Sequence, residues 1–249
     1  RIYRTMREEP VTLGHEVSLT VVGIGEDLRD EYEIGDRFIV QADIYIGGVS
    51  YAYGYEIQGG FSEYNIIDQR VLNSDGGNYL IKVKPTTGYA EAALNEPWAC
   101  VEAAYTQRRR LTPKPGGTMW IVGHADDSAQ YEFSSGLDAP ATVVATDLPV
   151  ALLRRVQEEL AGRGADLVER NGLAPANYQN LSADLTGGAG FDDIVVLDPR
   201  SAGMVSEAAK LIARRGTFNL VGRETLDARV QIDVGRIHYD YTAYVGSPG

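Results

Sequence analysis

From Thr118 onward the chain alternates between short β-branched runs and amphipathic stretches, and this alternation constrains the fold more than any other feature. "TMWIVG" (118–123), "ATVVATD" (141–147), "FDDIVVLDP" (191–199) and "TFNLVG" (217–222) are apolar runs of strand length. Between them lie "PVALLRRVQEELAGRG" (149–164) and "SAGMVSEAAKLIARRG" (201–216), which carry apolar residues at helical spacing and end on glycine. Strands separated by amphipathic helices build a parallel, doubly wound α/β sheet. "YTAYVGSPG" (241–249) adds a final strand and turn.

Within this region, Met119 to Asp147 reads as strand, tight turn, helix, strand and acidic residue, the layout of a dinucleotide-binding unit. In such units the first glycine permits the turn, the second lets the backbone approach a pyrophosphate, and the third lets helix pack on strand. Here "GHADDSA" (123–129) keeps Gly123 and places Ala125 and Ser128 at the other two positions. Both are small enough to preserve some close approach. Asp126 and Asp127 oppose a diphosphate by charge, so the turn is expected to keep its geometry with both carboxylates directed away. Asp147 follows Gly123 at a spacing near that of the acid that binds an adenosine ribose. A carboxylate there accepts from both ribose hydroxyls and repels a 2′-phosphate, which favours NAD over NADP. Its competing role is N-cap of the helix that begins near Pro149.

The first ~90 residues have another character. "EVSLTVVGIGEDL" and "GDRFIVQADIYIGG" are β-rich between Gly and Asp turn signals, and "GGFSEYNIIDQRVLN" suggests a further strand pair. Five of the 15 tyrosines lie between Tyr45 and Tyr64, in a Tyr/Gly stretch without helical period. That stretch is expected to be a packed lobe, with a substrate or partner surface as the alternative. "TGYAEAALNEPWACVEAAYTQRRR" is helix-compatible, and Arg108–Arg110 suit a solvated helix end.

Composition removes several classes. A net charge of −12 lacks the basic face that nucleic acid or an anionic membrane demands. No apolar run is long enough to span a bilayer, and no signal-peptide pattern is visible. Cys100 is the single cysteine, which excludes an intrachain disulfide and a four-cysteine zinc lobe and suits a cytoplasmic location. The chain opens at Arg1 and closes on "YVGSPG", which suggests a portion of a longer protein.

Metal chemistry has one candidate group. His15 and Glu16 in "LGHEVS" and Glu96 in "NEPWACV" are an imidazole and two carboxylates, a donor set that suits zinc with an open position for substrate. Taken alone, widely separated residues of these types are ordinary surface or core groups. Cys100 lies one helical turn after Glu96 and could face the same way, although buried packing is the usual role of such a cysteine.

The blocks "LGHE", "GDRF", "GGFSEY" and "NEPWAC", followed by "TGGAGFDDIVVLDP" and "RRGTFNLVG", resemble the medium-chain dehydrogenase/reductases of the zinc-dependent alcohol dehydrogenase type. "EEPVTLGHE", "YAYGYEIQGG" and "GRIHYDYTAYVGSPG" resemble most the sugar-phosphate and polyol reductases of the sorbose-1-phosphate reductase kind. The resemblance implies a partial GroES-like catalytic domain over 1–88 and a Rossmann domain over 89–249, with the active site between them. It implies zinc held by His15, Glu16 and Glu96, and NAD bound at Gly123, Ala125 and Asp147. Val221–Gly222 and Gly246–Ser247 then match strand ends on the nicotinamide side. The implied reaction is hydride transfer between NAD and a secondary alcohol or ketone of a polyol, sugar or sugar phosphate, in a homo-oligomer. Departures are a zinc-ligand cysteine that the family carries upstream of "GHE", the missing structural-zinc cysteines, and the altered phosphate turn. They leave a catalytically silent nucleotide-sensing or assembly subunit as the alternative, with a zinc-free quinone or enone reductase third.

Overall fold

The computed structural model describes residues 10–106, 110, 112–133 and 135–247. The chain forms two compact units, the first running to Ala103 and the second starting at Ala104. The first unit takes in residues 89–103 beyond the expected 88/89 division, and the helix Asn95–Thr106 crosses its boundary.

In the first unit, β1 (Leu19–Thr20), β2 (Arg37–Val40) and β5 (Leu80–Lys82) form an antiparallel sheet in the order β1-β2-β5. A separate hairpin joins β3 (Asp43–Ile46) to β4 (Val49–Ala52). Gly47 and Gly48 take φ of 58° and 76°, the left-handed pair a two-residue hairpin turn requires. The Asp75 carboxylate accepts both of their N–H groups at 2.9 Å. Val17, Val40, Ile44, Tyr53, Ile57 and Val71 form the core between these elements. Three helices complete the unit: α1 (Gln69–Leu72), α2 (Tyr89–Ala93) and α3 (Asn95–Thr106).

Two expectations change here. The strand pair expected in "GGFSEYNIIDQRVLN" does not form; the described chain there is irregular until Asp68, whose side chain caps α1 through the Arg70 N–H at 2.8 Å. Asp68 also binds the Arg70 guanidinium, so the segment is held by a local cap instead of a ladder. The Tyr-rich stretch is only partly packed. Tyr53 is fully buried, whereas Tyr45, Tyr55 and Tyr64 are exposed.

The second unit is a six-stranded parallel sheet of β6 (Thr118–Val122), β7 (Thr142–Thr146), β8 (Asp166–Glu169), β9 (Phe191–Leu197), β10 (Ile212–Val221) and β11 (Ala243–Ser247). Its order is β11-β10-β9-β6-β7-β8. Counting from β6 this is 3-2-1-4-5-6, the doubly wound order with its switch point between β6 and β9. The inner strands β6, β7 and β9 are buried on both faces, so their alternate residues feed two cores. Trp120, Val122, Val144, Ile194, Val196 and Phe218 pack against α5 (Tyr178–Thr186) and α6 (Ala202–Ala209). Met119, Ile121, Val143, Ala145 and Leu197 pack on the other face against Leu152, Val156 and Leu160 of α4 (Val150–Leu160). A short α7 (Gly235–Tyr239) precedes β11.

The sequence reading assigned no element between 165 and 190, where β8 and α5 form. It also ran the helix over 201–216 too far. α6 stops at Ala209 and β10 begins at Ile212, with a register shift before Thr217 where Arg215 takes φ of 61°. Arg110, expected in a solvated helix end, instead binds both Asp193 oxygens at 3.0 and 3.1 Å and the Asp192 carbonyl at 2.7 Å. Arg108 and Arg109 lie outside the described residues.

The largest departure is the first crossover. Among the described residues, no helix lies between Val122 and Thr142. The segment is poor in strong helix formers and contains Gly136 at φ of 103° and Pro140. Asp127 turns the chain at its start, accepting the Ala129 N–H at 2.9 Å and the Tyr131 hydroxyl at 2.6 Å. The sheet face a helix would cover is lined instead by Tyr131, Phe133 and Leu137. A cavity of about 290 Å³ remains between them and Met119, Leu197 and Val221.

Candidate functional site

The first unit gathers the proposed metal ligands. Gly14, with φ of 95°, precedes His15 and is crossed by the 54–61 segment. Gly59 N–H donates to Thr12 O at 2.7 Å, Gly60 to Gly14 O at 2.8 Å and Phe61 to Leu13 O at 2.9 Å. The approach requires glycine. A Cβ on Gly59 would stand 2.4 Å from Gly14 O and 2.5 Å from Gly54 Cα. The two backbones thus clamp the chain just before His15, and its ring lies 5.8 Å from that of Tyr55.

Glu96 comes from the first turn of α3. Its Oε2 lies 3.8 Å from His15 Nε2, and both side chains are about three-quarters covered. One ligand atom from each of His15, Glu16 and Glu96 lies within 4.8 Å of the others. Ligands at ~2.0–2.2 Å from one zinc ion stand roughly 3.3–3.5 Å apart in a tetrahedron, so modest side-chain movement would close the set. One imidazole and two carboxylates in a half-buried position fit a divalent zinc. Cys100 does face this way: its thiol donates to Glu96 Oε1 at 3.6 Å. Burial, followed by the Glu96 carboxylate, pushes the Cys100 thiol above its ordinary range.

The second unit gathers charge where the parallel strands end. Gly123 closes β6 and its N–H joins the ladder at Thr146 O. A Cβ on Gly123 would meet Leu148 Cδ2 at 3.3 Å, so the glycine serves strand and loop packing here. Ala125 and Asp126 form an exposed turn. The Asp126 carboxylate takes the Arg200 fork at 2.6 and 3.0 Å, which holds its carboxyl below the usual range. Asp127 accepts from Arg223 at 3.2 Å in addition to its turn contacts. Although burial opposes it, these donors keep the Asp127 carboxyl low. Arg223 also pairs with Asp198 at the end of β9. His124 sits in the middle with a buried Nε2 that has no hydrogen-bond partner, and burial and then Arg200 push its pKa down.

Asp147 is not the helix cap. Pro149 stands at the cap of α4 with no side-chain bond. Asp147 Oδ1 accepts the Gly172 N–H at 2.7 Å, while its own N–H donates to Asn171 Oδ1 at 3.0 Å. The ends of β10 and β11 stand side by side, with Leu220 opposite Gly246 and Val221 opposite Ser247, so Val221–Gly222 and Gly246–Ser247 occupy one corner of the sheet.

A nicotinamide dinucleotide fits this edge unevenly. At the position expected for the ribose, the Asp147 carboxylate keeps Oδ2 free of a backbone bond among the described residues while Oδ1 accepts the Gly172 N–H, and the β10–β11 corner is formed. At the position expected for the diphosphate, no helix N-terminus follows β6 among the described residues, and two aspartates occupy the arginines. Both carboxylates therefore turn to guanidinium partners. No local motif marks Arg200 or Arg223, and His124, although inside the "GHADDSA" turn, is a residue type that such turns do not assign to a ligand.

No protein-family model matches the chain. Curated relatives do. It is 31% identical over 271 residues to the uncharacterized protein YggP of Escherichia coli (strain K12), covering 100% of this chain and 62% of that protein. Mannitol-1-phosphate 5-dehydrogenase of Aliivibrio fischeri is 26% identical over 270 residues, with 100% and 62% covered. L-sorbose 1-phosphate reductase of Klebsiella pneumoniae is 25% identical over 255 residues, with 96% and 61% covered. The chain is thus similar, over nearly its whole length, to proteins named as a sugar-phosphate dehydrogenase and a sugar-phosphate reductase. It spans about 62% of the length of the first two relatives.

Proposed function

We propose that the chain belongs to an NAD-linked dehydrogenase that interconverts a secondary alcohol and a ketone on a polyol, sugar or sugar phosphate. The observation that carries this reading is the convergence of His15, Glu16 and Glu96 across 80 residues of sequence. His15 would bind zinc through Nε2 and Glu96 through a carboxylate oxygen, with Glu16 as third ligand or as partner of the other two. Zinc held there would supply Lewis acidity to the substrate oxygen, and NAD would accept or return the hydride. Asp147 would receive the ribose hydroxyls and disfavour a 2′-phosphate. Val221, Gly222, Gly246 and Ser247 would face the nicotinamide. The names of the relatives, a mannitol-1-phosphate dehydrogenase and a sorbose-1-phosphate reductase, favour a phosphorylated polyol or ketose.

Metal analysis of the purified protein, paired with calorimetric titration of NADH, tests this reading. One zinc per chain, lost in Glu96→Gln, and micromolar NADH binding are expected. Oxidation of polyol phosphates with NAD would then be assayed across a panel. A second reading, a silent nucleotide-sensing or assembly subunit, is favoured by the carboxylates at the diphosphate position and the missing first crossover helix. Absence of both zinc and NADH binding would overturn the enzyme reading and leave the second.

A further inference from the structure

The carboxylates at the end of β6 are not equivalent. Asp127 is only 7% exposed and is fixed by the Ala129 N–H and the Tyr131 hydroxyl. Its arginine, Arg223, is locked in turn by both oxygens of Asp198, one through the side chain and one through the backbone N–H at 3.0 Å. Asp126 is 74% exposed and, among the described residues, its carboxylate is held by the Arg200 fork; Arg200 is itself 55% exposed and bonds only to Asp126 among them. This pair can separate into water at little cost, since exposed ion pairs contribute little and are screened by salt. The pairing is also two-pronged, the geometry by which a guanidinium grips a phosphate.

The location narrows the ligand. Arg200 and Asp126 meet where β6 and β9 end, at the switch point, where open parallel sheets bind their ligands. In sheets of this order a helix N-terminus normally supplies the positive end for a diphosphate, and none is present here among the described residues. The buried Nε2 of His124, which has no hydrogen-bond partner, adjoins the same charges. Asp147 and Asp198 remain engaged by backbone N–H groups, so Asp126 is the negative group free to leave.

We propose that Arg200 is the diphosphate-recognising side chain of this unit and that Asp126 is its resident stand-in, displaced when a nucleotide diphosphate binds. The inference rests on the cofactor reading above and adds self-competition: apparent affinity is set by the exchange of one carboxylate for one phosphate on Arg200. Asp126→Asn leaves Arg200 unpaired and should tighten binding. Arg200→Gln removes the grip. The double variant should bind like Arg200→Gln alone, because a stand-in without its arginine has nothing to block. Independent effects of the two positions would add instead.

Calorimetric titration of the full chain uses three probes: NADH, inorganic pyrophosphate for the charged centre, and adenosine for the ribose end. Asp126→Asn should tighten NADH and pyrophosphate about fivefold to tenfold and flatten none of their salt dependence. Arg200→Gln should weaken both at least tenfold, and adenosine should bind equally to all variants. NADH binding by the parent protein that neither substitution alters would overturn this inference and leave the cofactor reading intact. No binding of NADH or adenosine by any variant would overturn the cofactor reading and this inference with it. Tighter binding of Asp126→Asn that persists in the double variant would also overturn it, since Arg200 would then not be the group released.

Discussion

Asp147 and Asp198 end their strands in the same way. Each takes a left-handed backbone, at φ of 50° and 40°, and each accepts through Oδ1 the N–H of the residue 25 positions ahead. The acceptances from Gly172 and Arg223 tie the end of one strand to the loop leaving the next. Asp is among the few residues that tolerate this backbone, because its side chain bonds locally.

The first prediction concerns Asp198. Asp198→Ala removes the anchor for the Arg223 N–H and leaves alanine in a left-handed conformation. Loss of its bonds to the Arg223 N–H and guanidinium, with the added backbone cost, amounts to about 2–4 kcal/mol. Urea unfolding should show that loss, and Asp198→Gly should recover the backbone part only. Equal stability of the alanine variant and the parent would mean the tie is not formed.

Asp147, which makes the tie to Gly172, is also the residue proposed to set cofactor choice. Asp147→Ser should relieve repulsion of the 2′-phosphate and weaken the grip on the ribose of NAD. NADH affinity should fall about tenfold while NADPH affinity rises. Equal binding of NADH and NADPH by the unmodified protein would remove the role assigned to Asp147.

Gly59 is expected to hold the proposed metal site together from a distance. Gly59→Ala places a methyl 2.4 Å from Gly14 O, and neither contact partner is a flexible side chain. The irregular segment ahead of His15 must shift, so zinc affinity should fall at least tenfold. Gly35→Ala is a control on the same unit: it meets no atom within 4 Å and carries only backbone strain at φ of 93°. Unchanged zinc affinity in Gly59→Ala would show that the clamp does not position His15.

How much was readable in advance follows from where the information lies. The strands β6, β7, β9 and β10 were legible because burial on both faces writes an apolar run into local sequence. Likewise, α4 was legible because Leu152, Val156 and Leu160 keep helical spacing. His15, Glu16 and Glu96 were nominated through short motifs, and folding brings them together. The missing crossover helix was not legible, because the strand–glycine–acid frame matched a helical unit while Asp127 capped a turn inside it. Arg200 and Arg223 lie 74 and 96 residues from their aspartate partners and carry no local pattern.

Acid should expose the ion pairs. Arg200, Arg223 and Arg70 hold the carboxyls of Asp126, Asp198 and Asp68 below the usual range by hydrogen bonding. Because each folded value lies below the unfolded ~3.9, the pairs contribute fully above about pH 5 and are lost as pH falls through the lowered values. Asp193 runs the other way: burial raises its carboxyl, so its protonation offsets part of the acid loss. His124, held low by burial and then Arg200, adds a gentle loss as pH falls below its ordinary ~6.5. Stability measured by urea unfolding should therefore decline slightly from about pH 7 to 5 and steeply below about pH 4. A steep loss already complete near neutrality would assign the pH dependence to other groups.

The last prediction concerns the free edge of the sheet. β11 pairs with β10 on one side and has no strand on its other side among the described residues. Such an edge offers unpaired N–H and C=O groups, and proteins cover, charge or pair it. From Ala243 to Ser247 the strand carries no charge and no proline, so nothing in it discourages pairing. Two copies of this chain are expected to join here about a two-fold axis, β11 against its symmetry mate, extending one sheet through two subunits. Light scattering at micromolar concentration should therefore give twice the chain mass or a multiple of it. Val245→Lys puts a charge on the edge and should shift the protein toward monomer. Gly162→Lys, at a turn open to solvent, should leave the mass unchanged apart from its own backbone strain at φ of 76°. A stable monomer for the unmodified chain would exclude the edge as the association surface. A Val245→Lys protein that keeps the parent's mass would move the contact elsewhere on the molecule.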